Sequence, residues 1–88
     1  MEKAMNSLES LRNEIDTIDK QLVHLIEKRT AIAANIGKVK RHHQKEVFDC
    51  QRESEVLKSI KQYAKESIVQ KHLEKIYKEI MILAKAIQ

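Results

Sequence analysis

Eighty-eight residues with one glycine, no proline and a preponderance of Lys, Glu, Leu, Ile and Ala fit an all-helical protein, one too short to bury more than a modest core by itself. A single Cys50 excludes an internal disulfide, no stretch could span a membrane, and Met1-Glu2-Lys3 lacks the apolar run of a signal peptide, so a reducing cytoplasm is the expected location. The formal net charge of +4 and pI near 9.3 admit nucleic acid or small anions as partners without choosing between them.

The first predicted helix runs from about Ser7 to about Arg41. Leu8, Leu11, Ile15, Ile18, Leu22, Leu25, Ile32, Ile36 and Val39 follow the heptad a/d pattern of one long helix packing along its length. Arg29 occupies the place in that series where an aliphatic residue belongs. A guanidinium keeps its charge, so burying it alone costs several kcal/mol in order of magnitude. An anion is therefore expected beside it, and from the arginine alone an internal ion pair with Asp or Glu is the simpler reading. Gly37 is tolerated inside this helix at a cost of roughly 1 kcal/mol relative to alanine. A seam running from Leu8 to Val39 needs a partner surface along its whole length, so the chain is expected to oligomerise.

The stretch Arg41-His42-His43-Gln44-Lys45-Glu46 has no apolar periodicity and reads as a polar connection, after which Asp49 is placed to cap a second helix. That helix carries Val56, Leu57 and Ile60 and ends towards Ala64. Ser67 and Gln70 have the spacing of a capping box. Leu73, Ile76, Tyr77, Ile80, Leu83, Ala84 and Ile87 then recur at helical spacing and define a third helix. No repeat, low-complexity segment or linker divides the chain, so residues 1–88 are expected to form a single domain.

The charged residues near the seam carry the functional signal. Lys40 follows Arg29 by eleven positions, which returns to within about 20° of the same face and rises roughly 16 Å. Two long cationic side chains leaning together from those points could hold one small dianion. Arg12 lies roughly 25 Å from Arg29 along one helix, too far to share a small ligand. If two first helices pair antiparallel about an axis near Leu22, Arg12 of one chain falls opposite the Arg29 to Lys40 interval of the other, and the two-fold builds two identical sites. Taken singly, Arg12 and Lys40 read more simply as solvated flanks of a seam, Arg52 and Glu53 as an exposed pair, and Asp49 as a helix cap. His42 and His43 lack further ligands at metal-binding spacing, so no metal site is expected. His24 faces outward. Neither a nucleophile with a base nor a glycine-rich phosphate loop is visible. A set of fixed cations in a helical core suits a reaction that needs orientation and charge stabilisation more than proton transfer.

Taken together, Leu11-Arg12, Ile15, Ile18-Asp19, Leu25-Ile26-Glu27-Lys28-Arg29, Ile36-Gly37-Lys38-Val39-Lys40, Val47-Phe48-Asp49, Arg52-Glu53, Ile76-Tyr77-Lys78-Glu79-Ile80-Met81 and Gln88 resemble the all-helical chorismate mutases over nearly the whole chain. The resemblance implies an all-α fold of three helices per chain, with a long first helix, in an intertwined homodimer. It also implies conversion of chorismate to prephenate by an intramolecular Claisen rearrangement, without a cofactor. Carried onto this sequence, Arg29 and the other chain's Arg12 would bind the two carboxylates. Lys40 would contact a carboxylate and the ether oxygen, and Gln88 would donate to that oxygen. Glu53 and the backbone at Asp49 would receive the ring hydroxyl, and Arg52 would help close the site. Lys40, Gln88 and Arg29 are thus the catalytic candidates, and the dianion sought beside Arg29 would be the substrate.

Two departures from the family pattern stand out. The family commonly has a serine four residues before the closing glutamine, where this chain has Ala84; losing a charge-assisted hydrogen bond there costs on the order of 1.5 to 3 kcal/mol. Gln88 is also the last residue of the sequence, and helix ends fray. The chain reads either as a monofunctional mutase or as the mutase domain of a fusion enzyme. The related isochorismate-pyruvate lyases share the fold and cationic site, and the Val47-Phe48-Asp49 and Arg52-Glu53 stretches favour the mutase. A helical dimer that binds nucleic acid would leave the seam position of Arg29 unexplained, so neither nucleic acid nor membrane is expected as a partner.

Overall fold

The computed structural model describes residues 2–43 and 50–88, with side chains from residue 7 onward. Three helices account for almost all of them: α1 (Glu2–His42), α2 (Cys50–Tyr63) and α3 (Ser67–Ile87). The long helix begins before the expected Ser7, because nothing in the first residues breaks it. Its last turn holds Lys40, Arg41 and His42, cations placed where the helix dipole favours them. Thr17 and Thr30, poor helix formers, return their hydroxyls to the carbonyls of Asn13 (3.0 Å) and Ile26 (2.8 Å) and so keep those groups satisfied inside the helix.

A helix of 41 residues is about 62 Å long, and the molecule measures 63 × 25 × 16 Å. Its radius of gyration, 17.5 Å, exceeds the value of about 12 Å expected for a compact chain of this length. The reason is local. Every residue from 7 to 25 is exposed, because α3 packs only along the C-terminal part of α1. Arg29 lies against Tyr77 and Gly37 against Gln88, so α3 runs alongside α1 in the same sense. Lys61 reaches Glu74 and Glu53 reaches Lys85, so α2 lies antiparallel on α3.

Within the chain, α1 turns Ile26, Thr30, Ala33 and Gly37 inward, a stripe of mostly small side chains that lets α3 approach closely. The a/d seam lies on a neighbouring face and stays uncovered: Leu11, Ile15 and Leu25 are 57–61% exposed. The described core is small, centred on Ala33 of α1, Ile60 of α2 and Met81 of α3. Met81 falls outside the apolar set that sequence spacing selects for the third helix. The face α3 presents to its own chain instead runs through Gln70, Leu73, Glu74, Tyr77, Met81, Ala84 and Gln88, leaving Ile76, Leu83 and Ile87 exposed beside it.

The turn between α2 and α3 departs from the capping-box expectation. Glu66, in extended conformation, is the N-cap and makes no side-chain cap bond, while Ser67 is already the first helical residue. The Gln70 amide points the other way and donates to the carbonyls of Lys61 (2.9 Å) and Ala64 (2.7 Å). It satisfies acceptors orphaned by the end of α2 rather than donors at the start of α3. Across the same hairpin, Glu74 pairs with Lys61 at 3.2 Å and with Lys78 at 3.8 Å. The hydrogen bond and charge of Lys61, and then the charge of Lys78, hold the Glu74 carboxyl below its ordinary pKa. The expected cap of α2, Asp49, lies outside the described residues.

Candidate functional site

A cleft of about 280 Å³ opens where the three helices meet. Ile32, Ala33 and Ile36 of α1, Val56 of α2 and Met81 and Ala84 of α3 supply its apolar walls. Around them stand Arg29 and Lys40 from α1, Arg52 and Glu53 from the first turn of α2, and Lys85 and Gln88 at the end of α3. Four cations and one carboxylate thus share one small concavity with apolar walls, an arrangement complementary to a small anion with two negative groups.

Five residues singled out in the sequence are therefore brought together: Arg29, Lys40, Arg52, Glu53 and Gln88. Arg12 is not among them; it lies on the exposed N-terminal part of α1, consistent with the separation of roughly 25 Å along one helix. Asp49 lies outside the described residues, as do Val47 and Phe48. His24 is exposed, its ring 3.9 Å from Glu27. His42 and His43 meet edge to face at 5.3 Å, and among the described residues no group of three His, Cys, Asp or Glu side chains is gathered to hold a metal.

Arg29 is half-buried, with its guanidinium carbon 5.8 Å from the centre of the Tyr77 ring. Among the described residues no carboxylate pairs with it, and Glu46 and Asp49 lie outside them. The electron-rich face of Tyr77 offers partial compensation, worth about 0.5 to 1 kcal/mol at a site open to solvent, and leaves the guanidinium edges for a ligand. Gln88 is fixed by three neighbours. Its backbone N–H donates to Ala84 at 3.0 Å, its carbonyl oxygen accepts from Arg41 Nη1, and its Cα and Cβ lie against Gly37. Arg52 approaches Glu55 at 3.9 Å on an exposed face, a contact of little energetic weight.

One feature of the cleft is absent from the sequence reading. Lys85 extends from α3 to within 3.0 Å of Glu53 Oε2, so the carboxylate expected to receive a hydroxyl already has a cationic partner. The sequence signal for Lys85 is its spacing from Gln88, which it precedes by three and so shares a helix face with. Ala84, already singled out in the sequence as a departure from the family pattern, lines the cleft with a methyl group.

Three helices, the first of them long, are the part of the implied architecture that the chain by itself displays. The family model for chorismate mutase type II matches residues 11–88, and the chain belongs to that family. It is 33% identical over 81 residues to a bifunctional chorismate mutase/prephenate dehydratase of Aquifex aeolicus, a match covering 88% of this chain and 22% of that protein. It is 36% identical over 55 residues to the T-protein of Haemophilus influenzae, covering 62% of this chain and 15% of that protein. The chain thus spans about a fifth or less of the length of these relatives. No solved structure matches it significantly. Among the described residues no helix is long and apolar enough to cross a membrane.

Proposed function

We propose that residues 1–88 form a single chorismate mutase domain that converts chorismate to prephenate. The observation that carries this reading is the convergence of Arg29, Lys40, Arg52, Glu53 and Gln88 on one cleft with apolar walls. Rearrangement of a bound dianion breaks a carbon–oxygen bond and forms a carbon–carbon bond within one molecule. No nucleophile is required. What the chain must supply is a compact reactive conformer and positive charge where the ether oxygen becomes more negative. Arg29 binds one carboxylate, its guanidinium steadied against Tyr77. Lys40, about three turns further along the same face of α1, bridges a carboxylate and the ether oxygen, and the Gln88 amide donates to the same oxygen. Glu53 accepts the hydrogen bond of the ring hydroxyl, with the backbone at Asp49 also receiving that group, while Arg52 covers the opening. Ala84 contributes shape alone.

The second substrate carboxylate is bound by Arg12 of a second copy, in an intertwined homodimer. The uncovered seam supports this. Leu8, Leu11, Ile15, Ile18, Leu22 and Leu25 form an exposed aliphatic row, and an apolar stripe of that length is covered most economically by its own copy running antiparallel. No cofactor enters the reaction, and cytoplasm is the compartment in which it would operate.

Incubating the purified chain with chorismate and, separately, with isochorismate tests the reading. Prephenate formed from chorismate supports it. Pyruvate and salicylate formed from isochorismate, with no prephenate from chorismate, would replace it with the lyase.

A further inference from the structure

The Glu53 carboxylate is the anomaly of the cleft. It stands in a concavity of about 280 Å³ whose other charged walls are cations, and any dianion seated against Arg29 and Lys40 would share that small space with it. Repulsion in so small and partly desolvated a cleft is large enough to govern affinity. Lys85 answers it. Its Nζ lies 3.0 Å from Glu53 Oε2, with side-chain exposures of 43% and 28%, so the pair is neither fully solvated nor removed from water. Because Lys85 and Glu53 belong to different helices, their contact also fixes the Glu53 rotamer across the cleft.

We propose that Lys85 is a positioning and charge-compensating residue: it holds Glu53 as an oriented hydroxyl acceptor while cancelling the charge that would otherwise oppose a dianionic ligand. This rests on the mutase reading. Lys85 acts through Glu53, and the substrate carboxylates are left to the arginines and Lys40. An acceptor for the ring hydroxyl and a site for two carboxylates can then coexist in one small cleft. The pair selects for ligands that combine two negative groups with a neutral hydroxyl at the Glu53 end. A ligand carrying a third anionic group at that end would be rejected by Glu53, and one with an apolar group there would leave both partners desolvated without gain.

Steady-state kinetics with chorismate on the wild type, Lys85→Met, Lys85→Arg, Glu53→Gln and the double variant Glu53→Gln/Lys85→Met test the role, with melting temperatures recorded in parallel. Lys85→Met should raise KM about tenfold while kcat changes less than about twofold, and Lys85→Arg should return KM to within about threefold of wild type. In the Glu53→Gln background the same Lys85→Met change should move KM less than about twofold, because no charge remains to compensate. A full KM increase in that background would overturn the proposal, since Lys85 would then be acting on the substrate or on the fold directly. A loss confined to kcat, or a failure of arginine to rescue, would overturn it as well. Wild-type turnover separates the two levels of inference: an inactive wild type sinks the mutase reading and this role with it, whereas an active wild type with additive variants sinks only the role of Lys85.

Discussion

A Cβ atom built on Gly37 would lie 3.1 Å from both the Cα and the Cβ of Gln88. The long helix and the end of α3 therefore meet closely at Gly37, beside the cleft that Gln88 lines. Glycine in mid-helix is costly, and here the cost accompanies the placement of a proposed catalytic amide.

Gly37→Ala separates stability from placement. Alanine favours the helix by roughly 1 kcal/mol, while the added methyl pushes Gln88 outward by a few tenths of an ångström. The melting temperature should stay close to that of the wild type. Chorismate turnover should fall about tenfold or more, because small displacements of a reacting contact carry large kinetic penalties. Full turnover in this variant would mean that the position of Gln88 does not control the rate.

Much of this arrangement is legible in the sequence, and the limits of that legibility have physical causes. The helices follow from 3.6-residue periodicity and the absence of proline, and Arg29 is exposed as unusual by the regularity around it. Spacing along one helix brings Arg29 and Lys40 onto the same face. What spacing does not carry is contact between helices. The heptad count selects Ile32, Ile36 and Val39, yet the face α1 turns to its own α3 is Ile26, Thr30, Ala33 and Gly37, since close approach is set by small residues as well as apolar ones. Gln70 misled for a related reason: its amide serves equally well as a cap on the helix behind it or the one it belongs to, and only the fold decides. The Lys85–Glu53 pair joins residues 32 positions apart, which no local pattern encodes.

The Glu74 pair predicts an acid-sensitive hairpin. The Glu74 carboxyl is held below its ordinary pKa of 4.5 by Lys61 and then Lys78, so the folded state binds its proton less readily than the unfolded state. The stabilisation is fully present above the unfolded value and is lost as pH falls through the lowered folded value. Urea unfolding of the wild type and of Glu74→Gln, compared from pH 7 down to pH 3, should show a difference that is constant near neutrality and shrinks below about pH 4.5. A difference that persists unchanged to pH 3 would show that Glu74 contributes through packing, not charge.

Arg29→Leu restores the aliphatic series and removes a guanidinium from a half-buried position. The lost contact with Tyr77 is worth about 0.5 to 1 kcal/mol, and an added leucine in the seam offsets it, so the unliganded protein should be as stable as the wild type or more so. Turnover should drop at least about a hundredfold, the usual consequence of removing a group that stabilises developing or bound charge. A marked fall in melting temperature would instead assign Arg29 a structural role.

The strongest test of the two-chain site uses two inactive proteins. Arg29 lines the cleft, whereas Arg12 sits on the exposed half of α1, roughly 25 Å away along the helix. In an antiparallel dimer, each cleft would draw Arg29 from one chain and Arg12 from the other. Arg12→Ala and Arg29→Ala should each be nearly inactive as homodimers. After mixing in equal amounts and complete subunit exchange, half of the dimers should be mixed, and each mixed dimer should carry both lesions in one cleft and none in the other. About a quarter of wild-type activity should then return. If Arg12 served the cleft of its own chain, every cleft in the mixed dimer would keep one lesion and nothing would be regained. Exchange can be followed independently by tagging the two variants differently and measuring mixed dimers by native mass spectrometry. Complete exchange without recovered turnover would therefore reject the shared site, while recovery near a quarter shows that Arg12 comes from the other chain, as the antiparallel dimer requires.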